Sequence, residues 1–253
     1  MIFEVAAEAY DQFMGRWSVR LAPQLAEFAD VRSGHRALDV GCGPGALTSD
    51  LVARLGPSAV TAIDPSESFV AAARARNPGV DVRQAAAEQL PFPDGTFDAT
   101  LAQLVVHFMT DPVAGIAEMA RVTRPGGVVA ACVWDFAGGH DPLGPFWAAA
   151  RALDMRVEDE SGLAGTRAGH LVDLFRAAGL RSVEPGTLSV SRDYSDFEEW
   201  WEPFTRGVGP AGSHVTRLDV PRQAELRDQC RSMLPVGPIT ITAQAWAARG
   251  LPH

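Results

Sequence analysis

From Arg36 to Trp134 the chain alternates short apolar runs with amphipathic stretches. Each apolar run has the length of a buried strand, and the stretches between them show the spacing of one apolar helix face. Strands that alternate with helices are typical of a parallel sheet with right-handed crossovers. The runs that predict strands are 37–40, 59–63, 80–85, 97–103 and 128–134.

Past Trp134 the pattern changes. Residues 135–165 are rich in Gly and Pro with one short helical run, and a helix at 167–178 and strands at 180–190 and 239–248 follow. The segment between those last two strands is much longer than a hairpin loop. It contains Trp200, Trp201 and Phe204 at helical spacing and a helix near 222–233. We predict that it packs over the carboxyl edge of the sheet, where open α/β folds bind ligands. Its aromatic residues, with Trp147, either line a pocket or belong to the core.

The first 30 residues carry two helical patterns. In the first, Tyr10, Phe13, Met14 and Trp17 fall on one helix face. A second amphipathic pattern runs through 21–28 and ends before Ser33. The first helix either packs on the core or forms a lid whose aromatic face covers a ligand, and the pattern alone favours neither.

Composition argues against several classes of function. Acidic residues outnumber basic ones by 31 to 22, for a formal charge of -9, and no cluster of basic residues is visible. A nucleic-acid phosphate backbone would be repelled. The three cysteines are far apart, without metal-site spacing, so neither a disulfide framework nor a zinc site is indicated. No basic leader and no membrane-spanning apolar run is present, and we expect a cytoplasmic protein.

The stretch 37–45 reads Ala-Leu-Asp-Val-Gly-Cys-Gly-Pro-Gly. A buried strand followed by three glycines and a helix start predicts a loop that lets a nucleotide-like ligand approach the backbone. Asp64 follows Gly45 by 19 positions, at the end of the second strand, where a carboxylate can accept hydrogen bonds from a ribose diol. The alternative is an Asp that only caps the next helix.

The glycine spacing does not decide the ligand. Gly41, Gly43 and Ala46 also satisfy the loose dinucleotide fingerprint, which leaves an NAD(P)-dependent oxidoreductase as an alternative. Asp39 argues against that alternative, because a second negative charge has no use beside a pyrophosphate. A cationic amino-acid group would be favoured there.

Four stretches together resemble the class I S-adenosylmethionine-dependent methyltransferases, in the branch that acts on quinones, sugars and natural products. They are 38–45, 62–66, 87–98 and 121–127. The resemblance implies an α/β Rossmann-like fold with a seven-stranded, mostly parallel sheet, an antiparallel last strand and helical cap insertions. It divides the chain into lid helices (1–30), cofactor-binding core (31–135), an insertion (136–165), more core (166–194), a cap insertion (195–236) and the last core strand (237–253).

The same resemblance implies S-adenosylmethionine as cofactor and S-adenosylhomocysteine as product, and the residue spacing predicts no metal. It places Asp39 and the glycine loop around the methionine part, Asp64 and Pro65 at the ribose, and Ser66 beside the adenine. An Asp found in many relatives is replaced by Ala86, which puts one adenine contact in doubt. The residues implied in cofactor binding are Tyr10, Asp39, Gly41, Cys42, Gly43, Asp64, Pro65, Ser66, Ala86, Ala87, Glu88 and Gln103.

For catalysis the resemblance implies a His107/Asp135 pair. His107 matches the first of two histidines in related sugar O-methyltransferases, the second being replaced by Phe108, and Asp135 matches the acid partner of the base. The alternative is a structural histidine. His140 and His214 are weaker candidates, more typical of solvated loops. We therefore predict methyl transfer to a small-molecule acceptor, most readily at a hydroxyl. The alternatives are a non-catalytic protein that binds the cofactor or its product, and the oxidoreductase. A homodimer is compatible with the sequence.

Overall fold

A computed structural model describes residues 10–253. Its centre is a seven-stranded sheet in the order β3-β2-β1-β4-β5-β7-β6. The strands are β1 Ala37–Val40, β2 Val60–Asp64, β3 Asp81–Gln84, β4 Phe97–Gln103, β5 Thr123–Trp134, β6 Arg181–Tyr194 and β7 Ile239–Leu251. The pairs among β1 to β5 are parallel, whereas β7 runs antiparallel to both β5 and β6. The predicted seven-stranded sheet with an antiparallel last strand is confirmed.

The helices cover both faces of this sheet and build the insertions. They are α1 Arg16–Phe28, α2 Ala46–Leu55, α3 Glu67–Arg76, α4 Pro112–Val122, α5 Gly144–Leu153, α6 His170–Ala177, α7 Phe197–Trp201, α8 Gly209–Arg217 and α9 Val220–Met233. Short 3-10 segments lie at Pro57–Ala59, Val106–Phe108, Glu160–Gly162 and Glu202–Arg206. The division of the chain into core and insertion segments stays a prediction.

One helix prediction is wrong in detail, and one helix was not predicted. The N-terminal patterns do not form two helices, because a π-helical segment, Asp11–Gly15, runs directly into α1. The helix that was not predicted is α8, which begins in the Gly- and Pro-rich stretch after Val208 with Pro210 in its first turn. A proline in the first turn sacrifices no intrahelical hydrogen bond, so it can start a helix as readily as it can end one.

Side-chain caps fix the positions where helices meet strand ends. The Ser66 side chain accepts a hydrogen bond from the Phe69 backbone N–H at the start of α3. Asp111 accepts one from the Ala114 N–H at the start of α4. Each cap satisfies a backbone donor that has no partner inside its helix. The helices after β2 and β4 therefore begin at defined points beside the carboxyl edge of the sheet.

The aromatic residues of the cap insertion belong to the core. Trp200 is 1% exposed, and the Phe204 ring stacks on Phe146 with centroids 4.6 Å apart and planes 7° from parallel. Trp147 and Trp201 are also buried. This cluster joins α5 and α7 to the face of the sheet that α1 covers. The core alternative is confirmed for these side chains.

No helix within residues 10–253 is long and apolar enough to cross a membrane.

Candidate functional site

A cavity of about 210 Å³ opens at the carboxyl ends of β1, β2 and β4. This is the edge at which open α/β sheets bind ligands, next to the point where the strand order reverses. Nine of the predicted cofactor residues line it: Tyr10, Asp39, Gly41, Cys42, Gly43, Asp64, Pro65, Ser66 and Gln103. The wall also includes residues that were not predicted, among them Ser18, Phe69, Leu104, Val105 and Phe108. Most of these follow a predicted residue by one helical turn or by one or two positions. Their closeness in sequence to the predicted residues could have been used to predict them.

The glycine loop takes a shape that other residues would resist. Gly41 and Gly43 have φ of +68° and +52°, in the left-handed region. A Cβ at Gly41 would lie 2.5 Å from the Val105 side chain. A Cβ at Gly43 would meet no protein atom within 4 Å, although Gly43 lines the cavity. The first glycine therefore serves the packing of the loop, and the second leaves space that a ligand can occupy.

Asp39 is buried at the floor of the cavity, with 1% of its surface exposed. Its Oδ2 accepts a hydrogen bond of 2.6 Å from the Thr48 hydroxyl. Its Oδ1 has no hydrogen-bond partner among residues 10–253. Burial, with a smaller contribution from the charge of Asp64, raises the pKa of Asp39 to about 7. A cation placed beside this carboxyl would lower that pKa.

Asp64 is held by two backbone donors. Its Oδ2 accepts from the Gly43 N–H at 2.9 Å, and its Oδ1 accepts from the Ser66 N–H at 2.8 Å. Burial raises the pKa of Asp64, and these two hydrogen bonds act in the opposite direction. The N-cap of α3 is Ser66, so Asp64 is not the helix cap of the alternative interpretation. Each carboxylate oxygen retains a lone pair for a further donor.

The polar groups of this cavity favour a ligand that carries positive charge and hydrogen-bond donors. Gln103 donates from Nε2 to the Ser18 carbonyl at 3.0 Å, which leaves its buried Oε1 without a partner among the described residues. Asp39 Oδ1 is in the same state. None of the described residues that line the cavity is Lys, Arg or His. Unpaired buried acceptors are costly, and a ligand with N–H groups would satisfy them.

Comparison with known proteins decides the family. A family model described as a methyltransferase domain matches residues 38–131. The uncharacterized protein Mb1438c of Mycobacterium bovis is 30% identical over 229 residues, which cover 85% of this chain and 81% of that protein. The chain belongs to the class I S-adenosylmethionine-dependent methyltransferases. That membership decides against the oxidoreductase that the glycine spacing had left open.

Two further proteins show how far the likeness extends. The chain is 33% identical over 178 residues to 2-methyl-6-phytyl-1,4-hydroquinone methyltransferase 2 of Oryza sativa, covering 67% of this chain and 46% of that one. It also superposes on phosphoethanolamine N-methyltransferase 2 of Haemonchus contortus, solved with phosphomonomethylethanolamine and S-adenosylhomocysteine. The TM-score is 0.59 at 16% identity, over 98% of this chain and 57% of that one, and shows a common fold. The chain spans 31%, 46% and 49% of three of its curated relatives.

The methyltransferase cavity fits S-adenosylmethionine in its chemistry. Unpaired acceptors at Asp39 and Gln103 suit the ammonium group and the sulfonium charge, and the Asp64 lone pairs suit the ribose hydroxyls. Tyr10 and Phe69 form an aromatic wall, with ring centroids 5.4 Å apart.

The contacts predicted at the adenine edge are not supported by this geometry. Ala86, Ala87 and Glu88 are absent from the described lining of the cavity. Glu88 Oε1 instead accepts hydrogen bonds from the backbone N–H groups of Thr110 (2.7 Å) and Asp111 (3.3 Å). Oε1 of Glu88 thus holds the loop that leads into α4, and the roles of Ala86, Ala87 and Glu88 at the adenine stay a prediction.

A second, smaller cavity of about 40 Å³ adjoins the first and shares Tyr10, Leu104 and Phe108 with it. Its wall is mostly apolar and includes residues 208–211 of the cap insertion. Its polar side chains include His107 and Glu160. Leu104 has φ +61°, a left-handed conformation that is rare for so bulky a residue. Strained backbone of this kind clusters at active sites and ligand clamps.

His107 lies in this small cavity as a neutral side chain. It is 6% exposed, and its Nδ1 has no hydrogen-bond partner among residues 10–253. Burial lowers the pKa of His107 to about 3. Its ring packs on Phe108 and Phe136, with centroids 3.9 Å and 5.7 Å away.

The predicted His107/Asp135 pair is wrong as a hydrogen-bonded dyad. Asp135 instead accepts from the Trp246 indole at 3.0 Å and the Gly138 N–H at 2.9 Å, and its Oδ2 lies 2.8 Å from His140 Nδ1. Asp135 is absent from the described lining of both cavities. The chain turns back directly after β5, so donors three and five residues further on occupy this carboxylate. His140, predicted as a solvated loop residue, is 68% exposed in its side chain and still contacts Asp135.

Within residues 10–253 no group of His, Cys, Asp and Glu side chains is arranged to hold a metal ion.

Proposed function

We propose that this protein transfers the methyl group of S-adenosylmethionine to a small, largely apolar acceptor that carries a nucleophilic hydroxyl or amine. The observation that carries the proposal is the pair of adjoining cavities. The larger one is acidic and holds unpaired acceptors for a cationic cofactor. The smaller one is mostly apolar and shares three lining residues with it, Tyr10, Leu104 and Phe108. A cofactor and an acceptor bound in these two spaces would meet at Leu104 and Phe108.

In this proposal the chain acts by binding and by excluding water. Asp64 holds the ribose, while Asp39 and Gln103 hold the amino-acid end. The bound cofactor supplies an activated methyl group on a sulfonium. Transfer of that methyl group leaves a neutral thioether. Alignment of the two reactants and a dry site contribute most of the rate in such a displacement.

His107 positions the acceptor, and the proton that the methylated hydroxyl or amine loses is released to water. A pKa near 3 makes the imidazole a weak base at neutral pH, far from the matched value that general-base catalysis favours. A neutral buried imidazole with a free Nδ1 can still exchange one hydrogen bond with an acceptor hydroxyl or amine.

Calorimetric titration with S-adenosylhomocysteine tests the cofactor half of the proposal. We expect micromolar binding to the unmodified protein, loss of binding in Asp64→Ala, and none with NADH. Asp173→Ala is the matched control, because that carboxylate lies on α6 and is 65% exposed. Binding that survives in Asp64→Ala, or fails in the unmodified protein, would overturn the assignment of the larger cavity.

A second candidate, cofactor binding without methyl transfer, is favoured by the size of the smaller cavity. A space of about 40 Å³ accommodates little more than one small group. A panel of phenols, alcohols and amines incubated with labelled S-adenosylmethionine separates the two functions. Transfer of label to any of them supports the enzyme, whereas tight cofactor binding with no transfer supports the second candidate.

A further inference from the structure

Glu160 is a buried carboxyl that faces the smaller cavity. It lies in the 3-10 segment Glu160–Gly162, within the stretch between β5 and β6, and is 3% exposed. It lines the cavity together with His107. Its Oε2 is buried and has no hydrogen-bond partner among residues 10–253. A buried carboxyl oxygen without a donor is costly to fold.

The local fold does not need this carboxyl. The N-cap of the 3-10 segment is Asp159, whose side chain accepts from the Ser161 N–H at 2.9 Å. The Trp147 indole lies near Glu160 and weakly favours its charged form, but its N–H forms no hydrogen bond within the described residues. Capping therefore does not account for Glu160, and a ligand in the cavity would.

The surroundings of Glu160 are negative. Asp141, also 3% exposed, acts on it through space, as does Asp159 to a lesser extent. Arg151 pairs with Asp159 and the His140 ring contacts Asp135. His107 lines the same cavity, but burial lowers its pKa to about 3, so it brings no positive charge at neutral pH. Burial first, and the charge of Asp141 second, raise the pKa of Glu160 to about 7. An arriving cation or N–H donor would be favoured, and an anion would be repelled.

We infer that Glu160 selects the methyl acceptor by accepting a hydrogen bond from its amine or hydroxyl group, with amines preferred and carboxylates excluded. The inference rests on the proposed function, because it assigns the smaller cavity to the acceptor. Amine and hydroxyl share the donor hydrogen that Oε2 lacks. The negative surroundings favour the amine, which can bind as an ammonium. It then has to release a proton to Glu160 or to water, because only the neutral amine has the lone pair that accepts the methyl group.

Three probes with the same three-carbon body test this selection: n-propylamine, n-propanol and propionate. Each is titrated into protein saturated with S-adenosylhomocysteine. The indole N–H signal of Trp134 is followed by ¹⁵N NMR, because Trp134 lines the cavity and is 1% exposed. The variants are Glu160→Gln, which keeps the side-chain shape, and the control Glu158→Gln, which changes an exposed carboxylate two residues away.

We expect saturable shifts with n-propylamine, weaker ones with n-propanol and none with propionate. Glu160→Gln should weaken n-propylamine binding about tenfold, the difference between a charge-assisted and a neutral hydrogen bond. Glu158→Gln should leave it unchanged. Affinity unchanged in Glu160→Gln, or propionate binding as well as n-propylamine, would overturn the inference.

Two further measurements make each outcome of this experiment interpretable. If Glu160→Gln does not fold, the ranking of the three probes on the unmodified protein tests the same charge preference. Binding of S-adenosylhomocysteine is measured first in every sample. If S-adenosylhomocysteine binds normally and neither donor probe gives a response, only the role of Glu160 is refuted. If S-adenosylhomocysteine does not bind, the proposed function is refuted.

Discussion

Replacement of Asp39 by Asn tests whether the cavity is built for a cation. In the ligand-free fold, burial holds the pKa of Asp39 at about 7, against 3.8 in an unstructured chain. Between those two values the unfolded chain has released a proton that the folded protein still binds. The stability of the ligand-free protein therefore falls as pH rises through this window and levels off above pH 7.

The size of the effect follows from the shift. A difference of about 3 pKa units corresponds to roughly 4 kcal/mol over the whole window. Of this, about 2.5 kcal/mol falls between pH 5 and pH 8, because the unfolded side chain is already largely ionised at pH 5. Glu160 and Asp141, whose pKa values burial also raises to about 7, add slopes of the same sign. Only the difference between variant and parent isolates Asp39.

Urea unfolding of ligand-free protein at pH 5 and pH 8 measures that difference. We expect the stability of Asp39→Asn relative to the parent to improve by about 2.5 kcal/mol from pH 5 to pH 8. The asparagine keeps an oxygen for the Thr48 hydroxyl and carries no charge. Asp173→Asn, on exposed surface, should show no such change. The reasoning is refuted if the gap between Asp39→Asn and the parent is the same at both pH values.

Two further predictions separate binding from stability. Gly43→Ala should cost about 1 kcal/mol of stability through its positive φ, yet weaken S-adenosylhomocysteine binding at least about tenfold in calorimetry. Gly41→Ala should cost more, about 2 to 3 kcal/mol in urea unfolding, since its Cβ would lie 2.5 Å from Val105; equal costs would contradict the geometry of the loop. Asp135→Ala should lower stability by about 2 kcal/mol, because it leaves the Trp246 indole and the Gly138 N–H without their acceptor, with cofactor affinity unchanged. A loss of affinity without a loss of stability would restore Asp135 to the active site.

The periodic half of the chain could be predicted closely because its signals are local. Strands β1 and β4 have the predicted bounds, and the glycine loop and Asp64 lie together at one cavity. Apolar runs, caps and glycines act over a few residues, so a pattern along the chain suffices to place them.

Boundaries set by pairing with distant strands could not be predicted in this way. Strand β5 begins at Thr123 rather than at residue 128, because Thr123 pairs with Phe97 and shares a 2.7 Å hydroxyl contact with Thr100. Strands β6 and β7 each continue past the predicted end. They pair antiparallel along their whole length, with Tyr194 opposite Ile239 and Arg181 opposite Leu251. The ends of these strands are set by pairing with a strand far away in sequence, which outweighs the local strand propensity of the residues.

The acceptor side of the site could not be predicted for a related reason. Asp135 and Glu160 both belong to the stretch where the alternating pattern stops, so their neighbours depend on how the chain turns back. A matching position predicted a His107 partner for Asp135, whereas the turn after β5 supplies His140 and Gly138 instead. Glu160 has no motif around it, and only its burial at a cavity beside His107 distinguishes it from Glu158. The proposed cofactor contacts thus involve residues whose spacing is visible in the sequence. The proposed selection of the acceptor by Glu160 depends on a segment whose position beside the cavity is set only when it folds against the ends of β4 and β5.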